Sequence, residues 1–225
     1  RHVSEPHGAA PEPAFSLIPS RFPPIGLFDT VTTAADLEAV MELAGWTNDR
    51  LVAERLARLP QADWVFGRAN ASAVMAAFLH VAPQGMRFNG PDLGAWYAAE
   101  AIETAAAEVG HHLRREAYAT GVAVLARDYR SYVATLEGSY LDIRGRQADL
   151  PDLYAPDSHA AGQLWGESQR AAGEDGLLYD SLRRAGGINV AAYRPPKVRD
   201  VLQADHFRLS VEAASRRIQL HRLAA

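Results

Sequence analysis

The sequence predicts an α+β fold, and three observations carry that prediction. Helical periodicities gather in the first half of the chain, short β-type runs gather in the second, and neither regular strand–helix alternation nor an internal repeat joins them. Segregation of this kind argues against a doubly wound parallel sheet.

Residues 1–13, "RHVSEPHGAAPEP", are small, polar and proline-bearing, and read as a flexible tail ahead of a single domain spanning 14–225. "IPSRFPPIGLF" (18–28) holds three prolines. Proline removes a donor and the residue before it favours extended backbone, so an irregular arm carries Arg21 and Phe22. An N-terminal helical extension covers about 34–60. Leu37, Val40, Met41 and Ala44 recur at helical spacing, and "NDRLVAERLARLP" (48–60) closes on Pro60. "ASAVMAAFLH" (71–80) begins as helix, and "GAWYAA" (94–99) is extended. "AIETAAAEVGHHLRREA" (101–117) is the clearest helix, with Ile102, Ala105, Ala106, Val109 and Leu113 on one face. Short strands follow from Gly121 to Arg144. A helix over 159–173 stops at Gly173, and two strands, 176–182 and 188–195, join across "RRAGG". The last segment, about 205–223, reads as a helix or as a strand followed by one.

Composition excludes several classes of function. The 225 residues are 48% hydrophobic and 22% charged, as expected of a globular core. A net charge of -4 gives no electrostatic reason to bind nucleic acid or an anionic membrane. No run approaches the length of a membrane span, and no apolar signal region opens the chain, so a cytoplasmic location is expected. The absence of cysteine removes disulfides, thiolate zinc sites and cysteine nucleophiles. His111 and His112 are adjacent and point to different sides of a helix, which suits a metal poorly; no metal is expected. Neither G-x-G-x-x-G nor a Walker motif is present.

Glu108 draws attention because it sits beside the apolar stripe of its helix, although most helical glutamates are simply solvated. If it is buried, it must be paired or hydrogen-bonded. Arg87 lies in the turn-rich "GMRFNG", where a guanidinium fork suits phosphate or carboxylate, or simply pairs with Asp92. Arg21 is a fixed anion ligand or a solvated charge. Tyr97 is a core ring or a pocket wall. Ser181 binds a ligand or bonds backbone locally; without flanking glycines it is no nucleophile elbow.

Taken together, "FSLIPSRFPPIGLFDTV", "TNDRL", "AAFLHVAPQGMRFNG", "LGAWYAAEAIETAAAEVGHH" and "AAGEDGLLYDSLRRAGGINVAAYRP" resemble the RES-domain family, and its ParT-like branch most. The resemblance runs in order from about Phe15 to Pro196. It implies an ADP-ribosyltransferase-like split β-sandwich with surrounding helices, and action on NAD⁺ as substrate. Members are toxins of RES–Xre toxin–antitoxin systems that transfer ADP-ribose to a protein target or destroy NAD⁺ by hydrolysis or phosphorolysis. Arg21 matches the family's N-terminal arginine and Arg87 that of its glycine-arginine-aromatic motif. Tyr97 matches the tyrosine before the helix, Glu108 the acidic residue after it, and Ser181 the late-strand serine. His80 matches a branch-level histidine. Asn89 stands where branch members often carry serine; either side chain can hydrogen-bond a ligand.

The implied chemistry is coherent. Cleaving the nicotinamide–ribose bond builds oxocarbenium-like charge, which a fixed carboxylate stabilises. Glu108 takes that role or orients the acceptor. Arg21 and Arg87 jointly neutralise the pyrophosphate, Tyr97 stacks on nicotinamide or adenine, and Ser181 bonds ribose or amide. The resemblance also implies an Xre-type antitoxin protein. The apolar-basic C-terminal segment offers a surface for it or for a homodimer. A non-catalytic nucleotide- or protein-binding module is the competing class, marked by NAD⁺ binding without turnover.

Overall fold

A computed structural model describes residues 6–20, 26, 28–37 and 54–224. Arg21 and Phe22 of the predicted arm lie outside these residues, as do 38–53 of the predicted helical extension. Residues 34–37 and 54–56 are helical.

Nine strands pair in the order β1-β5-β6-β7-β3-β2-β4-β8-β9. They are β1 (His7–Gly8), β2 (Ala14–Pro19), β3 (Trp96–Ala99), β4 (Val124–Leu136), β5 (Tyr140–Asp142), β6 (Gly176–Asp180), β7 (Ile188–Ala192), β8 (Val198–Glu212) and β9 (Ile218–Arg222). Only β5 and β6 pair in parallel. β2 runs alongside β4 over six residue pairs but meets β3 only at Phe15 and Ala99. The ladder is thus shortest in the middle of the sheet, where Ser16 Oγ also donates to Tyr97 O (2.7 Å).

Among the described residues, three α-helices with both ends described pack on this framework: α1 (Ala71–Leu79), α2 (Ile102–Ala119) and α3 (Ala160–Ala171). Side chains alternate across a strand, and on β6 and β7 both faces are covered. Leu178, Val190 and Ala192 face one core with α1's Val74, Met75 and Phe78. Leu177, Tyr179 and Ala191 face a second, with Phe88 and Tyr193. Two-sided burial explains the unbroken apolar run "GLLY". A third core joins Ala106, Leu113 and Ala117 of α2 to Tyr129, Leu209 and Val211. Asp29 closes the start of α1, accepting from the backbone N–H of Asn70 (3.1 Å) and Ser72 (2.7 Å).

Two expectations are corrected. The described part of the N-terminal segment is not a loose tail: His7 and Gly8 pair with Leu141 and Tyr140, and Asp142 N–H donates to Pro6 C=O (2.8 Å). The C-terminal segment is not helical. Phe207, Leu209 and Val211 alternate with polar residues at period two, and they pair with Arg222, Leu220 and Ile218 in a hairpin.

Candidate active site

The loop carrying Arg87 is shaped by its glycines. Gly85 has φ +70, a left-handed conformation in which a Cβ would also lie 2.4 Å from Asn89 O. Met86 N–H donates to that same oxygen (2.9 Å) and closes the turn. Helix α3 then lies against the loop backbone. A Cβ on Gly162 would stand 2.5 Å from Arg87 O, and one on Gly166 2.2 Å from Phe88 O. Gln163 Nε2 donates to Gln84 O (2.7 Å) and Met86 O (2.9 Å), and Gly90 N–H donates to Glu167 Oε1 (2.9 Å). The Arg87 guanidinium donates through Nη1 to Leu153 O (3.2 Å) and Ala155 O (2.9 Å). Among the described residues no carboxylate pairs with it, Asp92 included; Asp92 pairs with Arg58 at 2.6 Å.

β3 brings Tyr97 onto the same face as Phe88 and Tyr179. Its hydroxyl donates to Asn89 Oδ1 (2.9 Å) and accepts from Phe88 N–H (3.0 Å). Burial raises the phenol pKa well above its usual value, so it stays neutral. The ring is partly exposed. Asn89 is 0% exposed, and its amide nitrogen donates to Gly90 O (2.8 Å). In this arrangement the Asn89 side chain fixes Tyr97 and the loop.

Glu108 projects from α2 towards the β6–β7 connection. Its Oε1 accepts from Ser181 Oγ (2.6 Å) and Asn189 Nδ2 (2.9 Å). Among the described residues Oε2 accepts no hydrogen bond. Ser181 Oγ also accepts from the N–H groups of Arg183 (3.1 Å) and Arg184 (3.0 Å). The serine hydroxyl is thus fully engaged, and orients Glu108 instead of presenting a free donor to ribose or amide. Glu100 holds this connection to α2. It accepts from Ile188 N–H (2.8 Å), Thr104 Oγ1 (2.8 Å) and Arg184 Nη1 (3.1 Å).

Several cations, Arg183, Arg115 and Arg87, act with Glu108 on the same groups. Tyr179 packs in one apolar cluster with Tyr97 and Phe88; burial pushes its phenol up, Tyr97 and Glu108 add to that, and Arg87 opposes it. Burial, then Arg87 and other cations, brings the His159 imidazole down to about 4. Burial, then Arg183, His112, Arg114 and Arg115, does the same to His111, also to about 4. Both rings are neutral at pH 7. Such a site suits an anionic ligand that develops positive charge next to Glu108.

Four predicted residues, Arg87, Tyr97, Glu108 and Ser181, therefore share one neighbourhood. Asn89 supports it from within. His80 is exposed just beyond α1, and no hydrogen bond joins it to the cluster. Arg21 lies outside the described residues. Asn189, 3% exposed, was missed by sequence reasoning. A polar residue inside the apolar run "INVAAY" was its only signal. Among the described residues no group of three or more His, Asp or Glu side chains is placed to hold a metal, and no helix is long and apolar enough to cross a membrane.

Comparison with known proteins adds three findings. A family model described as the RES domain matches residues 55–212, which include Arg87, Tyr97, Glu108, Ser181 and Asn189. The chain is 28% identical over 196 residues to "Uncharacterized protein y4oC" of Sinorhizobium fredii (strain NBRC 101917 / NGR234), covering 86% of this chain and 80% of that one. It is also similar to a chain in the crystal structure of the M. tuberculosis MbcT–MbcA toxin–antitoxin complex, with 21% identity and a TM-score of 0.41 over 58% of this chain and 72% of that chain.

Proposed function

The chain belongs to the RES-domain family, and on that premise we propose that it is the toxin of a toxin–antitoxin pair, cleaving the nicotinamide–ribose bond of NAD⁺ and transferring ADP-ribose to a protein target. One observation carries the reading: the Glu108 carboxylate, oriented by Ser181 and Asn189 within a cationic, Arg87-bearing site.

In this reading the carbon–nitrogen bond breaks with its electron pair passing to nicotinamide, which leaves as a neutral base. The cation left on ribose is stabilised by the Glu108 carboxylate. A nucleophile on the acceptor supplies the pair for the new bond and gives up its proton. Arg87 and Arg21 share the pyrophosphate. Tyr97 offers its partly exposed ring as a wall while its hydroxyl holds the loop. An Xre-type antitoxin that covers this site completes the proposal.

A second reading, glycohydrolase or phosphorylase, differs only in the acceptor. The unpartnered Oε2 of Glu108 favours keeping it, since that oxygen is free to receive a proton from water. Incubating the purified protein with NAD⁺ and a cell lysate tests both. Nicotinamide release with a protein gaining ADP-ribose supports transfer, and release with small-molecule products alone supports the second reading. NAD⁺ binding with no release overturns both and leaves a binding module.

A further inference from the structure

Beyond Glu108, on the adjoining face of α2, lies an open groove of about 320 Å³. Arg114 from α2, Arg183 from the β6–β7 connection and Arg216 from the β8–β9 turn line it, with Leu182 and Ile218. The groove exists because the hairpin packs tightly on the helix: a Cβ on Gly110 would lie 2.6 Å from Ile218 Cδ1.

The three guanidiniums have no ion pair among the described residues. Arg114 Nη1 donates to Ser215 O (3.3 Å), and Arg183 Nη2 to Pro156 O (3.0 Å). Arg216 makes no side-chain hydrogen bond among those residues. Glu108 and Asp157 reach Arg183 only through space. Elsewhere Arg127, Arg144, Arg184, Arg194, Arg208 and Arg222 each hold a carboxylate. Acidic residues exceed basic ones in this chain, 27 against 23. Three arginines from three separate elements thus meet around one groove, and among the described residues none of the three holds a carboxylate. A single carboxylate would leave most of that charge uncompensated. A phosphate dianion, with three acceptor oxygens, matches three forks. The apolar side chains beside them suit whatever carries the phosphate.

We infer that this groove binds a phosphate monoester, with Arg114, Arg183 and Arg216 on the dianion and Leu182 and Ile218 against its carrier. The groove adjoins the Glu108 site, whose carboxylate reaches Arg183 through space, and its anion binding is measured without NAD⁺ turnover.

Calorimetric titration of the full chain with ribose 5-phosphate, and separately with inorganic phosphate, tests it against chloride at matched ionic strength. Saturable binding of ribose 5-phosphate is expected. R114A/R216A weakens it about tenfold or more, whereas R217A and R87A retain it. Tighter binding of the ester than of phosphate assigns the site to a phosphorylated molecule, and equal binding assigns it to the free anion. Two results overturn the inference: no saturable binding of either probe, or binding that R87A abolishes and R114A/R216A spares. Nicotinamide release measured on the same samples keeps a failure of the dinucleotide reading distinct from a failure of this one.

Discussion

Glu108 has one oxygen engaged and one open. Ser181 and Asn189 both donate to Oε1, so the open oxygen is held in a fixed direction at little entropic cost. Asn189→Ala removes one of the two donors and leaves the serine in place. Its nicotinamide release should fall about tenfold, with KM nearly unchanged, since an aligning hydrogen bond to a charged group is worth roughly 1.5–3 kcal/mol. An equal fall from a raised KM would show that Asn189 serves binding instead. Glu108 was visible in the sequence because its own helix displays it. Asn189 was not, because its partner stands 81 residues away. Ser181 stands 73 residues from Glu108, which hid its bond to the carboxylate, whereas its local bonds from the Arg183 and Arg184 N–H groups match the backbone alternative the sequence offers.

Among the elements, α3 is the one that aims Arg87. Gly162 and Gly166, one helical turn apart, let its axis approach the loop backbone. Gly166→Ala puts a methyl against Phe88 O, and a backbone atom yields poorly. The predicted cost is about 1–3 kcal/mol of overpacking, partly offset by about 1 kcal/mol of helix propensity. Urea unfolding measures the net, and a weaker NAD⁺ affinity should accompany it. Unchanged affinity would mean that α3 does not set the position of Arg87. The glycine pair was legible as a four-residue repeat in "AAGQLWGES", but only the loop gives it meaning. Asp29 belongs at this scale too. Asp29→Ala leaves the first N–H groups of α1 unpaired and should lower stability by roughly 1 kcal/mol in the same assay. The C-terminal hairpin shows the opposite failure of sequence reading. "DHFRLSVEAASRRIQLHRL" offers helix formers along its length. Its register instead comes from β4, whose long ladder with β8 draws Leu209 and Val211 to one face. Tertiary pairing overrode propensity there.

At the scale of the whole molecule, burial of His111 and His159, reinforced by nearby cations, has a cost that acid should expose. His111 and His159 are held at about 4, whereas an unfolded chain protonates histidine near 6.5. Between those values the unfolded state binds more protons. Stability is therefore full above about pH 6.5 and is lost as pH falls towards 4. Thermal midpoints across that window should drop less steeply for His111→Ala/His159→Ala than for the parent chain. Parallel slopes would remove these two rings from the acid response. The sequence disclosed the α+β class and the ordered motifs, because periodicity and turn chemistry are local. It did not disclose the short pairing between β2 and β3, nor the groove beside Ile218, because both arise from elements far apart in the chain.

The central claim is that Glu108 stabilises charge as nicotinamide leaves. Nicotinamide release from NAD⁺ by the parent chain and by Glu108→Gln, which keeps the size and one acceptor oxygen for Ser181 and Asn189 but removes the charge, tests it most directly. The account predicts turnover by the parent chain and a loss of about 10²–10³ in kcat for the variant with its fold intact. Parent-like kcat in Glu108→Gln would contradict it.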